Sequence, residues 1–254
     1  LFVKNCHFIN NDSPDNGGAL YQESLNALST IYLINSSFYK NSAVKGGGLG
    51  ISSQNVFCEL NACILDSNIS HGGGGGAVYI FGKQSTTFDM FHTQVIGNAT
   101  RGSGSGGGIM VTGHYLLSTI FRSYFKDNVS NFAGGGLYVK AVGIPAGSTI
   151  TSLGYAKTVM VYSTFDNNST IYYGGGLFIH GNTFNLNVKG STFHSNSTSF
   201  FMGSKGGGIY TQSSVNWQSF FKLNNSTFNS NSSTLKGGVY VSKHAITEKY
   251  SNIF

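Results

Sequence analysis

The stretch GGAVYI, Gly75–Ile80, is the third of eight copies of one pattern: two glycines, a small residue, then an aliphatic, usually aromatic, aliphatic run. The others are GGALYQ from Gly17, GGGLGI from Gly46, GGGIMV from Gly106, GGGLYV from Gly134, GGGLFI from Gly174, GGGIYT from Gly206 and a shortened KGGVYV from Lys236. Their third positions, Ala19, Gly48, Ala77, Gly108, Gly136, Gly176, Gly208 and Gly238, are spaced by 29, 29, 31, 28, 40, 32 and 30 residues. A period in that range belongs to a solenoid or a propeller. A second pattern keeps step with it, an apolar residue followed three positions later by Asn: Phe8/Asn11, Phe38/Asn41, Leu65/Asn68, Val95/Asn98, Phe125/Asn128, Phe165/Asn168, Phe193/Asn196 and Phe228/Asn231.

Five residues before the Phe column stands an unbroken apolar set, Val3, Leu33, Leu60, Met90, Ile120, Met160, Val188 and Leu223. Two residues before it stand Cys6, Ser36, Cys63, Thr93, Ser123, Ser163, Ser191 and Ser226. Offsets of five and two differ in parity, so a strictly alternating strand cannot turn both inward, and the chain must bend between them. After the glycines, Leu20, Leu49, Val78, Ile109, Leu137, Leu177, Ile209 and Val239 form another apolar column, and the residues following them should face the opposite way. Gly, Asn, Ser and Thr dominate, and apolar residues rarely recur at three- and four-residue spacing, so helix is disfavoured. The solution consistent with these columns is an all-β parallel β-helix of about eight coils of about 30 residues, roughly 40 Å long, with three strands per coil and like residues stacked. The glycine pair then serves a positive-φ turn or a close approach between coils.

The combination of GGA followed by an aliphatic residue, in Gly17-Gly18-Ala19-Leu20 and Gly75-Gly76-Ala77-Val78, with F-x-x-N resembles the passenger repeats of the chlamydial polymorphic outer membrane proteins. The resemblance extends over essentially the whole chain. It implies a right-handed coil and a surface-displayed, extracellular rod associated with adhesion. Gly replaces Ala in most copies, and no membrane-barrel region is present. Residues 1–254 read as one β-helix domain, a segment of a longer chain open at both ends and therefore prone to associate end to end.

The formal charge is +6, but only 9% of residues are charged, too sparse for a nucleic-acid footprint. No apolar run is long enough to span a membrane. Lys45, Lys205 and Lys236 each precede a glycine turn; such a ridge could meet an acidic polysaccharide, or simply be solvated loop charge. Three cysteines leave at least one unpaired. Cys6 and Cys63, two coils apart in one column, lie beyond disulfide reach, and small buried hydrophobes are the expected role for all three.

The nine acids are scattered over different columns. Asp127 and Asp166, on adjacent coils, are the only candidate carboxylate pair, and a glycosidase needs two carboxyls held around one bond. The seven histidines show no metal-ligand spacing, so neither metal nor cofactor is expected. The glycine runs lack the helix and Lys-Ser/Thr of a phosphate loop. Tyr21, Tyr79, Tyr138, Phe178, Tyr210 and Tyr240 form an outward aromatic stripe that could stack on sugars or anchor a partner, or merely stiffen the sheet beneath a covering loop.

Eleven asparagines satisfy N-x-S/T, seven of them in the F-x-x-N column. In the coil at Asn41 the hydroxyl position is Ala43, which destroys the sequon but keeps the residue small, so this column reads as an inward Asn ladder. Asn35, Asn167, Asn224 and Asn225 lie off the column and are the glycosylation candidates. The expected function is a non-enzymatic, extracellular or cell-surface structural and adhesive rod. Its partners would be other copies of itself, an extracellular protein or an acidic polysaccharide, met first by the insertion Lys140 to Ala156. The rival is a carbohydrate-active lyase or hydrolase, which should show clustered acids and bases in a groove along one sheet.

Overall fold

In a computed structural model of the chain, residues 1–143, 154–199, 203–213, 219–235 and 237–241 are described, together with the backbone of 245–250. Among them there is strand but no helix, and the strands form three parallel sheets wound into a solenoid of about seven turns. The eight copies of F-x-x-N are thus eight stacked levels in an eight-stranded sheet, with seven intervals between them. At about 4.8 Å per interval those levels span roughly 34 Å. The insertion expected to meet a partner lies mostly outside the described residues, as does Lys236.

Each coil begins after its glycines with a long strand. Leu49–Asn61, Val78–Phe91 and Ile109–Phe121 run in register, Leu49 beside Val78 beside Ile109, with a shift midway. In later coils the long strand divides, as in Leu177–Gly181 and Thr183–Lys189, but both halves stay in the same 13-stranded sheet. Three-residue strands such as Tyr124–Lys126 then carry the Phe column, and a short third strand such as Val129–Ser130 returns to the glycines.

The parity break expected before the Phe column is a corner in the left-handed region. Asn35 (φ 46°), Ala62 (52°), His92 (49°), Arg122 (45°), Tyr162 (51°) and Asn225 (48°) occupy it, and Lys40, Ser67, Asp127, Asn167, Ser195 and Ser230 repeat the conformation just before the Asn column. For residues with a Cβ this costs about 1–2 kcal/mol each, least for Asn and Asp. The third corner is glycine's. Gly46 (φ 63°) turns so tightly that a Cβ would stand 2.1 Å from the Leu49 carbonyl oxygen, and a Cβ on Gly47 would stand 2.4 Å from the Gly76 oxygen of the next coil. At the third position Ala77 is tolerated, fully buried, in the coil whose Phe-column residue is the smaller Leu65.

The core follows the sequence columns. Phe38, Leu65, Val95, Phe125, Phe165 and Phe193 are wholly buried, and rings on neighbouring coils stack face to face, Phe125 on Phe165 at 4.4 Å and Phe165 on Phe193 at 4.9 Å. Burying apolar surface at about 25 cal/mol per Å² is the main term holding the coils together. Beside the rings runs the Asn ladder. Asn98 Nδ2 donates to Asn128 Oδ1 (3.0 Å) and to the Leu65 carbonyl (2.8 Å), while its Oδ1 accepts from Asn68 Nδ2 (2.9 Å) and Asn68 N (2.9 Å). The amide links continue from Asn11 to Asn231. The column two residues before Phe makes a hydroxyl ladder, with Ser123 Oγ accepting from Thr93 N (3.2 Å) and donating to the Phe121 carbonyl (3.0 Å). Cys63 takes a rung of it, its Sγ 3.2 Å from the Leu33 carbonyl, and all three cysteines are free. Burial pushes the Cys58 and Cys63 thiols up, away from reactivity.

Candidate functional site

The outward aromatic column forms in register, Tyr79 beside Met110 beside Tyr138 beside Phe178 beside Tyr210 beside Tyr240, but most of it is not surface. Tyr138, Phe178 and Tyr210 are only 5%, 3% and 7% exposed. The chain segment approaching the next glycine pair folds over them. Tyr173 stacks on Tyr210 at 4.9 Å and lies 6.3 Å from Phe178, closing a second small core with Ala133. Burial holds the Tyr210 phenol up at about 12, and that of Tyr138 higher still. The expected stripe is therefore corrected: it is a stacked spine under a cover, with Tyr21 alone among its aromatic members clearly exposed, at 41%.

The basic ridge is corrected too. The position before each glycine pair stacks as Asn16, Lys45, Gly74, Ser105, Ala133, Tyr173 and Lys205, so the two described lysines are five levels apart. Each lies on a ring of the following coil, Lys45 Nζ 5.3 Å from the Tyr79 centroid and Lys205 Nζ 4.8 Å from that of Tyr240.

Among the glycosylation candidates, Asn35, Asn167 and Asn225 are exposed and Asn224 is half-buried. Three of the four have a structural reason for being Asn, because Asn35, Asn167 and Asn225 sit at left-handed corners. Asn35 Nδ2 donates to Asn5 Oδ1 (2.9 Å), and Asn167 Nδ2 to Asp127 Oδ1 (2.6 Å). The ladder sequons Asn68, Asn98, Asn128, Asn168 and Asn196 are wholly buried, out of reach of a transferase in the folded rod.

The Asp127/Asp166 pair does not converge. Asp127 accepts from Asn167, whereas Asp166 Oδ2 accepts from the Tyr124 hydroxyl at 3.1 Å. On the third sheet Ser42 Oγ donates to Asp12 Oδ1 and lies 3.2 Å from His71 Nε2. The order carboxylate–hydroxyl–imidazole is not that of a nucleophilic triad, where the carboxylate orients the imidazole. No group of three or more His, Cys, Asp and Glu converges on a metal site among the described residues.

Sequence columns that do not repeat make the more distinctive feature, on the water-facing side of the long-strand sheet. Glu59 pairs in register with Asp89, Asn61 with Phe91 and Phe91 with Phe121. Glu59, Asn61, Phe91, His92 and Phe121 line a shallow, open groove of about 540 Å³ across three coils. The acids flank the Phe91/Phe121 column on one side. His92 and Arg122, thrown outward by the corner, flank it on the other, the imidazole edge-on to Phe121 at 5.6 Å and the guanidinium 5.1 Å from the same ring. The sequence carried this signal only in strand parity: these positions lie four and six residues before the Phe column, and no one residue type fills either of them, Phe91 and Phe121 being the one like pair on adjacent coils, so the repeat did not point to them. No protein-family model matches the chain, and neither a curated protein nor a solved structure matches it.

Proposed function

We propose that the chain is a non-enzymatic structural and adhesive rod of the cell surface or extracellular space, similar in kind to the chlamydial polymorphic outer membrane passenger repeats. One observation carries this reading. The residues that repeat turn into the interior or the glycine corners, where ladders and stacked rings use them, while residues facing water vary from coil to coil. A rigid scaffold with a varied exterior is suited to presenting contacts, not to reacting. The exposed sequons at Asn35, Asn167 and Asn225 support a secretory location. The runner-up is a carbohydrate-active enzyme, favoured by the in-register Glu59/Asp89 pair, of which Glu59 lines the groove.

The test is retention of beads coated with the chain on immobilised polysaccharide and matrix-protein surfaces, with reducing-end release assayed in parallel. Retention without cleavage is expected; cleavage abolished by Glu59→Gln would replace the rod with the enzyme. Glycopeptide mass spectrometry of native material should find glycan at Asn35 and Asn225 and none at Asn98.

A further inference from the structure

We propose that the groove around Phe91 and Phe121 binds an extended, uncharged saccharide laid along the rod axis; this rests on the adhesive reading and names its ligand. Three features select that occupant. First, Phe91 and Phe121 are register partners on adjacent coils, and the strand repeat of about 4.8 Å is close to the rise of one sugar ring in an extended chain. Successive coils therefore offer successive sugars equivalent positions, with the apolar faces of the sugar rings against Phe91 and Phe121.

Second, Glu59 on one side, His92 and Arg122 on the other and Asn61 in line with the rings are planar donors and acceptors, as needed to reach hydroxyls at the edges of a sugar. Third, charge argues against a polyanion. Glu59 and Asp89 stand on one side and Arg122 is the permanent cation on the other, so a sulfated or uronic chain would meet like charge. An added peptide strand is disfavoured, because backbone groups in this face already bond between coils.

Calorimetric titration of the full chain with cellohexaose, mannohexaose, chitohexaose and a heparin hexasaccharide tests this. Binding of at least one uncharged hexaose is expected, weakened about tenfold or more in Phe91→Ala/Phe121→Ala, with the unfolding midpoint recorded alongside. Asn61→Ala, which leaves both rings in place, should weaken binding severalfold and keeps the test open should the double variant fail to fold. The proposal is overturned if no uncharged hexaose binds, if heparin alone binds, or if the folded Phe variant binds as tightly as the parent. Dimerisation in sedimentation that the Phe variant abolishes, without saccharide binding, would assign the groove to a second copy instead. Turnover of a bound hexaose would leave the groove assignment standing and sink the non-enzymatic reading.

Discussion

Asn98 shows how much of this fold a single amide can hold. Its side chain makes four hydrogen bonds to the two neighbouring coils, one on either side, with no exposure to water. Asn98→Ala should therefore cost about 3–5 kcal/mol in urea unfolding, because partners on both sides are left buried and unsatisfied. Asn35→Ala, at an exposed corner, should cost about 1 kcal/mol, from the left-handed backbone and the exposed bond to Asn5 Oδ1. A matched pair of glycines separates space from conformation. Gly47→Ala would drive a methyl to 2.4 Å from the Gly76 oxygen and should abolish cooperative folding. Gly97→Ala has no neighbour closer than 3.7 Å, and only φ 61° opposes it, so about 1–2 kcal/mol is expected. The ladder was legible in sequence because Ala43 broke the sequon while the column stayed regular. The bend before the Phe column was legible in strand parity, but its left-handed conformation was not, because Arg122, Tyr162 and Asn225 share that conformation but no chemistry.

Within an element, strand parity and corner geometry decide which residues meet. Ala62 occupies its left-handed corner without the side-chain hydrogen bonding available to Asn, so Ala62→Gly should stabilise modestly. About 1–2 kcal/mol of strain is relieved, less about 0.5–1 kcal/mol of extra chain entropy in the unfolded state. In the strand Leu177–Gly181, His180 lies beside Lys140 of the preceding coil, and burial first, then that positive charge, holds its pKa down at about 4 against an ordinary 6.5. The folded rod resists a proton that the unfolded chain accepts, so this contribution is intact above pH 6.5 and is lost as pH falls toward 4. Urea midpoints measured from pH 7.5 to pH 4.5 should fall for the parent and fall less for His180→Gln. The Lys140/His180 pairing was legible as a column, four residues after Gly136 and Gly176, but the burial that shifts the imidazole was not, because it depends on what packs over that face.

At the scale of the molecule, each coil touches chiefly the coils above and below, so stability is close to a sum of coil and interface contributions. Deleting Ile69–Asn98, thirty residues, joins Asn68 to Ala99, and the ladder positions on either side remain in register. That variant should remain a folded β-rod by circular dichroism, with a denaturant slope reduced by about one seventh, the share of one turn in about seven. Removing fifteen residues instead should destroy cooperative unfolding, since every column above the cut would face the wrong neighbours.

Period, parity and the choice of inward columns followed from sequence alone, because a solenoid maps repetition in the chain directly onto stacking in space. The same reading left Tyr138, Phe178 and Tyr210 either on the surface or beneath a covering loop, and only the tertiary structure placed Tyr173 and Ala133 over them. Outward from one strand is not outward from the molecule when the chain folds back over that face. The Phe91/Phe121 groove likewise needed coordinates, because apart from those two rings it is built from unlike side chains on three coils. Repetition identified what holds the rod together; proximity between unlike coils decided what its surface presents.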